Sequence, residues 1–157
     1  MQTRAFKQVD VFTDQAYFGN PLAVVMDASG LDDAAMQRFA AWTNLSETTF
    51  LLPPTDASAD YRVRIFTPDR ELNFAGHPTL GSCHSWLEAG GQPRSNDVVV
   101  QECKVGLVKI RRHGVEGGRQ RQVFAAPPLT RSAISPVLLA QIAAALEIGR
   151  ASCRERV

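Results

Sequence analysis

One helical segment limits the folds open to this chain more than any other feature. It runs from Gly76 to Ala89, with Pro78 suited to a first helical turn and Gly90-Gly91 suited to the end. Its larger apolar side chains leave only a narrow polar face, and they are Leu80, Cys83, Trp86 and Leu87. A helix without a broad polar face does not suit a surface position. We therefore predict that a sheet wraps around this helix.

The segments on either side have the composition and periodicity of β-strands. The clearest is Tyr61 to Phe66, in which Tyr, Val and Ile alternate with two arginines. The other expected strands are Ala5–Thr13, Leu22–Met26, Thr48–Leu52, Val98–Cys103, Leu107–Arg112 and Gln122–Ala125. Gly114 and the Gly117-Gly118 pair are expected to form the turns after the strand that ends at Arg112. The predicted fold class is α+β, a mostly antiparallel sheet around one buried helix.

Two further segments have helical spacing. From Leu31 to Trp42, apolar residues recur at helical intervals behind two aspartates that favour a first turn. The second segment opens at Ser135-Pro136 and runs to Leu146, after a Pro127-Pro128 pair that marks a boundary. We expect the helix that begins near Leu31 to lie outside the sheet.

Composition excludes several functional classes. The chain has 17 basic and 16 acidic residues and a formal charge of +1, so no basic face for nucleic acid is expected. Its longest apolar runs are too short to cross a bilayer, and its N-terminus lacks the pattern of a signal peptide. The three cysteines have spacings that fit neither a disulfide framework nor a zinc site. These features predict a cytoplasmic protein without a bound metal.

Polar and special residues concentrate in three short stretches, which are Gly19-Asn20-Pro21, Ser46-Glu47-Thr48 and Gly76-His77-Pro78-Thr79. Glu47 precedes an apolar strand, where a carboxylate loses water and suits proton transfer, although a solvated turn glutamate fits the position too. His77 begins a helix and is either a functional group or an ordinary cap or packed ring. The free backbone N–H groups around Gly76 to Thr79 form a natural anion site.

Several motifs appear in an order that resembles one known family. They are Val9-Asp-Val-Phe-Thr13, Gly19-Asn-Pro-Leu-Ala-Val-Val25, Leu45-Ser-Glu-Thr-Thr-Phe50, Arg64-Ile-Phe-Thr-Pro68 and Phe74-Ala-Gly-His-Pro-Thr79. With these motifs the chain is similar to the N-terminal half of PhzF-type phenazine-biosynthesis proteins, which belong to the diaminopimelate-epimerase-like superfamily.

The resemblance implies two similar domains, each a sheet curled around a central helix, with the active site between them. It implies an isomerase of trans-2,3-dihydro-3-hydroxyanthranilate that uses no metal or organic cofactor, and in which a glutamate shuttles a proton between ring carbons. Glu47 matches that glutamate, and His77 would contact substrate or relay protons as a second catalytic group. The residues expected to bind substrate are Gly19, Asn20, Ser46, Gly76, Pro78 and Thr79.

The same resemblance separates this chain from the racemases of the superfamily. Those enzymes use two cysteines as bases, one of them directly before the glycine that starts the central helix. Ala75 occupies this position, and a methyl group cannot accept a proton, so the two-thiol mechanism is excluded. Cys83 lies about two helical turns further on, among apolar neighbours where a thiol is inert.

The first hypothesis is therefore a cofactor-independent isomerase that moves a proton with a single carboxylate on a small dihydroaromatic acid. The alternative is a non-catalytic protein of the same fold that binds small acids or acts as a scaffold. The expected partners are a small-molecule carboxylate substrate and, for the full-length protein, a second copy in a homodimer. Neither nucleic acid nor membrane is expected as a partner.

The C-terminal segment from Ile148 to Val157 resembles the translation of a common short-read sequencing adapter, and a natural basic tail is the alternative. On the adapter interpretation, residues 1–126 form an N-terminal domain and residues 127–147 are the start of a truncated second domain. Residues 148–157 would then be an artefactual tail without packed structure. We expect such a chain to be catalytically inactive by itself, because only one wall of the cleft would be present.

Overall fold

The computed structural model describes residues 3–116, 119–128 and 131–148, which divide into two compact units after Pro127. The strands of the first unit are β1 Phe6–Val11, β2 Asn20–Val25, β3 Thr48–Leu52, β4 Tyr61–Phe66, β5 Glu71–Leu72, β6 Val98–Cys103, β7 Gly106–Glu116 and β8 Arg119–Phe124. Its helices are α1 Asp33–Thr43 and α2 Gly76–Glu88, and the second unit contains α3 Pro136–Ala145. The domain limits given by the sequence stay predictions.

The strands form one mixed sheet in the order β1-β2-β3-β4-β6-β7-β8, with β5 paired to β4 beside that path. The β2–β3 and β4–β6 pairs are parallel and the remaining pairs are antiparallel. Each parallel pair needs a crossover connection, and α1 and α2 provide them. Helix α2 packs against β1, β2, β3 and β6, so the sheet curls around it. The predicted α+β fold, a mostly antiparallel sheet around a central helix, is confirmed.

The buried face of α2 is formed by small and polar residues rather than by its large apolar ones. Thr79, Ser82, Cys83 and Ser85 are fully buried, whereas Trp86 is only partly buried. A Cβ atom on Gly81 would lie 2.6 Å from Cδ2 of Leu22 and 2.9 Å from Cγ2 of Val11. Small side chains are therefore required here because the helix lies very close to β1 and β2.

Helix α1 packs on β3 and β4 and builds a second, separate core. The buried members of that core are Val25, Ala28, Met36, Ala40, Phe50 and Phe66. The Asp32 carboxylate caps α1 by accepting a hydrogen bond from the backbone N–H of Ala35 at 2.6 Å. Each helix thus buries its own set of sheet side chains, and α2 packs on the core that contains Leu22, Val63 and Ile65.

Several sequence predictions need correction. The two-residue strand β5 was not predicted, because so short a segment has no periodicity. Gly114 is not a turn residue, since β7 continues to Glu116 with a shift in register between His113 and Glu116. The Gly117-Gly118 pair lies outside the described residues, as does the tail from residue 149 to residue 157. Within the described chain, no helix is long and apolar enough to cross a membrane.

Candidate active site

Three of the predicted polar stretches meet where β2, β3 and α2 begin. Asn20 is the first residue of β2, Glu47 directly precedes β3, and His77 is the second residue of α2. Because β2 and β3 are parallel, with Ala23 opposite Thr48, their first residues lie at the same edge of the sheet. The backbone carbonyl of Glu47 accepts a hydrogen bond from Ala23 N–H at 3.5 Å, which fixes the glutamate beside β2.

Four of the predicted site residues form a continuous polar chain, here called the site cluster: Ser46, Asn20, His77 and Glu47. The Ser46 hydroxyl lies 3.4 Å from Asn20 Oδ1, and Asn20 Nδ2 lies 3.2 Å from Nδ1 of His77. On the other side of the ring, Nε2 of His77 faces Oε2 of Glu47 at 3.5 Å. The structure thus brings together residues that are up to 57 positions apart in sequence.

The facing atoms of Glu47 and His77 lack a good hydrogen-bond partner. Both Glu47 Oε2 and His77 Nε2 are buried, and within the described residues neither makes a hydrogen bond of proper geometry. The side chains are 17% and 8% exposed, respectively. An unsatisfied buried polar group costs about 1–3 kcal/mol, and such groups in native proteins call for an explanation, of which a catalytic role is one.

Burial also controls the charge of the histidine. Loss of solvent lowers the pKa of His77, while the negative charge of Glu47 and a hydrogen bond to the Pro21 backbone raise it, and burial is the largest of these effects. His77 is therefore neutral at pH 7. A neutral imidazole has one N–H donor and one lone pair, so it can give or accept a proton without first losing one to solvent.

The start of α2 offers fewer free donors than the sequence indicated. The N-cap residue Ala75 has no polar side chain to satisfy them. Pro78 has no N–H, and the Thr79 N–H donates to the carbonyl of Ala75 at 3.2 Å. In the described part of the chain, only the amides of Gly76 and His77 therefore remain for an anion, beside the site cluster.

Three other predicted binding residues, Thr79, Pro78 and Gly19, have structural roles of their own, and their contact with substrate stays a prediction. Thr79 is fully buried, and its hydroxyl donates to the Ala75 carbonyl at 2.9 Å and accepts from Gln101 Nε2 at 3.1 Å. Pro78 is buried in the same turn. Gly19 is needed by the backbone itself, because a Cβ atom there would lie 2.2 Å from the carbonyl oxygen of Val11.

One aromatic residue near the site was not predicted from the sequence. The ring of Phe12 lies 6.5 Å from the His77 ring, and Phe12 has a left-handed backbone conformation with φ of 67°. Phe12 is 70% exposed and Phe18 in the same loop is 74% exposed. No local pattern indicated this position, because Phe12 lies inside the predicted strand Ala5–Thr13.

Cys83 and Ala75 bear on whether a thiol could act as a base near this site. Cys83 is fully buried, and burial raises the pKa of its thiol to about 12, so it is not a base. Ala75 stands at the helix start with no group that can accept a proton. Among the described residues, no group of three His, Cys, Asp or Glu side chains is placed to hold a metal ion.

The family model of phenazine biosynthesis-like proteins matches residues 9–152. "Antisense-enhancing sequence 1" of Schizosaccharomyces pombe is 53% identical over 110 residues, which are 70% of this chain and 37% of that protein. "Trans-2,3-dihydro-3-hydroxyanthranilate isomerase" of Pseudomonas aeruginosa is 43% identical over 100 residues, which are 64% of this chain and 34% of that protein.

A solved structure of the same family is also similar to this chain. The crystal structure of a phenazine biosynthesis protein of the PhzF family from Bacillus anthracis is similar with a TM-score of 0.68 at 34% sequence identity. That similarity covers 76% of this chain and 39% of the other. The chain therefore spans less than half the length of the relatives and the solved structure that it matches.

Proposed function

Since this chain belongs to the family of phenazine biosynthesis-like proteins, we propose that it carries the acid–base site of an isomerase acting on a small dihydroaromatic acid. A relative with 43% identity is named for its action on trans-2,3-dihydro-3-hydroxyanthranilate. The single observation that supports the proposal is the buried Glu47–His77 pair, whose facing atoms lie 3.5 Å apart and have no hydrogen-bond partner among the described residues.

The proposed reaction moves one proton within the substrate. The Glu47 carboxylate takes a proton from a ring carbon, and the electron pair of that C–H bond shifts through the conjugated system. The carboxyl group then exchanges its proton with solvent and gives a proton to another ring carbon. The substrate loses and regains one proton, so atoms and charge balance without an oxidant or reductant. This step needs no organic cofactor or metal ion. Positioned general acid–base groups contribute about 10²- to 10⁴-fold to rates of this kind.

The other members of the site have supporting roles in this proposal. The free amides of Gly76 and His77 at the start of α2 suit a substrate carboxylate, since a helix N-terminus favours negative charge. A carboxylate held there places the ring of the acid beside Glu47. His77 is neutral, so it can hold a proton opposite the glutamate without adding a competing positive charge. Both groups remain close to the reacting carbons during transfer.

We also propose that turnover requires protein beyond the 157 residues of this chain. The yeast relative is matched over only 37% of its length, and the family resemblance implies a second domain facing the first. A second wall would exclude water from the cleft around Glu47 and would strengthen every electrostatic interaction there. We further propose that the full-length protein forms a homodimer and acts in the cytoplasm.

The test uses the protein expressed from its native locus, with trans-2,3-dihydro-3-hydroxyanthranilate as the substrate. The Glu47→Gln variant keeps the size of the side chain but cannot accept the proton. We expect its kcat to fall by about 10²-fold or more, the contribution of a general base. Glu88→Gln is the matched control, because Glu88 is exposed at the end of α2 and bonded to Lys7, and it should leave kcat unchanged.

Two results would contradict the proposal. One is a Glu47→Gln variant whose kcat stays within about tenfold of the wild type, since a general base contributes more than that. The other is a wild-type protein that binds the acid but neither isomerises it nor exchanges its carbon-bound protons with solvent. The second result would favour the non-catalytic binding protein.

A further inference from the structure

Asn20 stands between two other members of the site cluster and uses both ends of its amide. Its Oδ1 lies 3.4 Å from the Ser46 hydroxyl and its Nδ2 lies 3.2 Å from Nδ1 of His77. Asn20 is partly buried at the start of β2, and it separates Ser46 from the histidine ring. The sequence suggested that Asn20 binds substrate, whereas these contacts place it behind the imidazole.

We propose that Asn20 is a positioning residue, which, held by Ser46, fixes His77 in the neutral form that carries its proton on Nε2, opposite Glu47. This inference rests on the proposed function, in which Glu47 and His77 are the acid–base pair. It assigns to Asn20 and Ser46 an action through the histidine and no contact with the reacting atoms.

The direction of each hydrogen bond follows from the acceptor at the end of the chain. An ionised carboxylate can only accept, so a proton on the ring nitrogen that faces Glu47 Oε2 at 3.5 Å gives the more favourable arrangement. In a neutral imidazole the other nitrogen, Nδ1, then has a lone pair and needs a donor. Of the two ends of the Asn20 amide, only the NH₂ group can donate, which orients Nδ2 towards the ring.

Ser46 completes this orientation. Once Nδ2 of Asn20 faces His77, the amide oxygen faces the Ser46 hydroxyl and accepts its hydrogen bond. A flipped amide would point a carbonyl oxygen at the lone pair of Nδ1 and would lose that bond. Ser46 therefore helps to select the amide orientation, and Asn20 in turn selects the tautomer of His77.

The backbone of Pro21 makes this selection necessary. A hydrogen bond to the Pro21 backbone favours a protonated His77, as does the charge of Glu47. A proton on Nδ1 would leave a lone pair on Nε2 in the other neutral tautomer. The Asn20 NH₂ group opposes both outcomes, because it is repelled by a proton on Nδ1 and bonds only to the lone pair.

The primary test needs no substrate. In the protein from the native locus, ¹⁵N NMR of the histidine rings should show His77 with a protonated Nε2 and an unprotonated Nδ1 at pH 7. The signal is assigned by its loss in His77→Gln. A ring protonated on Nδ1 in the wild type would overturn the proposal, whatever the outcome of the Glu47→Gln assay.

The decisive variant is Asn20→Asp, which replaces the NH₂ donor by an acceptor of the same shape. We expect the His77 proton to appear on Nδ1, either alone or together with Nε2, and kcat to fall about 10²-fold or more with a smaller change in KM. Asn96→Asp is the control, since it adds the same charge at an exposed position and should change neither the ring signals nor kcat. An Asn20→Asp protein with wild-type ring signals would contradict the assignment.

Variants at Ser46 give an independent test that does not add a charge. Ser46→Ala removes the donor to Asn20 Oδ1 and should yield a mixture of His77 tautomers with an intermediate loss of kcat. Ser46→Thr keeps a hydroxyl group and should restore both the single tautomer and most of the activity. A Ser46→Ala protein with one Nε2-protonated ring and wild-type kcat would show that Ser46 has no part in positioning.

Discussion

Two groups of polar residues each include one residue from the first turn of α2. They differ in how completely their hydrogen bonds are satisfied. The site cluster ends at Glu47 and His77, whose facing atoms are buried and unpartnered within the described residues. The second group, here called the core network, consists of Tyr61, Gln101, Thr79 and the carbonyl of Ala75. Its hydrogen bonds measure 2.8 Å from Tyr61 to Gln101, 3.1 Å from Gln101 to Thr79, and 2.9 Å from Thr79 to Ala75.

This difference indicates that the core network supports the fold, whereas the site cluster is available for chemistry. The core network joins β4 and β6 to the carbonyl of Ala75 at the start of α2. It therefore fixes the start of the helix, on which His77 is the second residue. Its tyrosine is neutral, because burial raises the pKa of Tyr61 well above its usual value. A satisfied buried network stabilises a fold, whereas a buried pair with unused polar atoms has the capacity to bind and exchange protons.

The largest expected effect is the loss of kcat when the site cluster is disrupted at His77. His77→Gln keeps a polar side chain but cannot take up and return a proton at pH 7. We expect kcat to fall by about 10²-fold or more, in the range of general acid–base contributions. The free energy of unfolding should fall by no more than about 1 kcal/mol, the contribution of the single hydrogen bond between Asn20 and Nδ1, because within the described residues Nε2 has no partner to lose. Steady-state kinetics and urea unfolding of the same preparation measure both quantities.

His84→Gln is the matched control for that variant. His84 is exposed on the same helix, so its replacement should alter neither kcat nor stability. If His77→Gln destabilised the protein as strongly as a core-network variant and kept its turnover, the distinction between the two groups would be wrong.

The next largest expected effect is the loss of stability when the core network is disrupted at Gln101. Gln101→Leu has similar size but leaves the buried Tyr61 hydroxyl without its acceptor, and the Thr79 hydroxyl keeps only its bond to the Ala75 carbonyl. Each unsatisfied group costs about 1–3 kcal/mol, so we expect a loss of unfolding free energy of that order. Thermal and urea denaturation measure the loss. The exposed Gln92→Leu serves for comparison and should have no comparable effect.

A smaller change sharpens the comparison within the core network. Tyr61→Phe removes one hydroxyl group and keeps the ring that stacks on Trp86 at a centroid distance of 5.3 Å. Only Gln101 Oε1 then loses a partner, and we expect a loss of about 1 kcal/mol in the free energy of unfolding with turnover retained. A larger loss of turnover than of stability would indicate that Tyr61 belongs functionally to the site cluster.

The smallest expected effect is a pH dependence confined to the site cluster. Burial lowers the pKa of His77 in the folded state below the value of 6.5 for an unperturbed histidine. Between pH 6.5 and the lower folded-state pKa the unfolded chain therefore binds more protons than the folded one, so stability falls as the pH decreases through this interval. Above pH 6.5 the group makes no such contribution.

His77→Gln should flatten the acid side of the stability profile, whereas Gln101→Leu should lower the whole profile without flattening it. Urea unfolding at a series of pH values distinguishes the two patterns. An unchanged acid slope in His77→Gln would show that the histidine is not buried in the way described.

The sequence was sufficient for those elements whose local pattern is unambiguous. Strands β3, β4 and β6 have the predicted bounds, because each is rich in β-branched or aromatic residues and β4 also alternates apolar and charged side chains. The central helix was also predicted, since Pro78 and the following glycines mark its ends. The inner face of α2 was not, because the close approach of β1 and β2 at Gly81 depends on the packed fold.

The site, like the fold, was predictable only in part. The motifs identified the four residues that the structure brings into the site cluster, but they could not tell which residues of a motif point elsewhere. Thr79 follows His77 by two positions, which is about 200° around the helix axis, so the two side chains lie on different faces. Its partner Gln101 is 22 residues away on β6, and no local pattern connects them.

The most direct test of the contrast between the two groups is deuterium incorporation at carbon. The protein from the native locus is incubated with trans-2,3-dihydro-3-hydroxyanthranilate in deuterated water, and the product is examined by NMR and mass spectrometry. We predict that the wild type and Gln101→Leu introduce deuterium at a ring carbon, and that Glu47→Gln does not. Incorporation by Glu47→Gln at the wild-type rate would contradict the assignment of the site cluster as the acid–base centre.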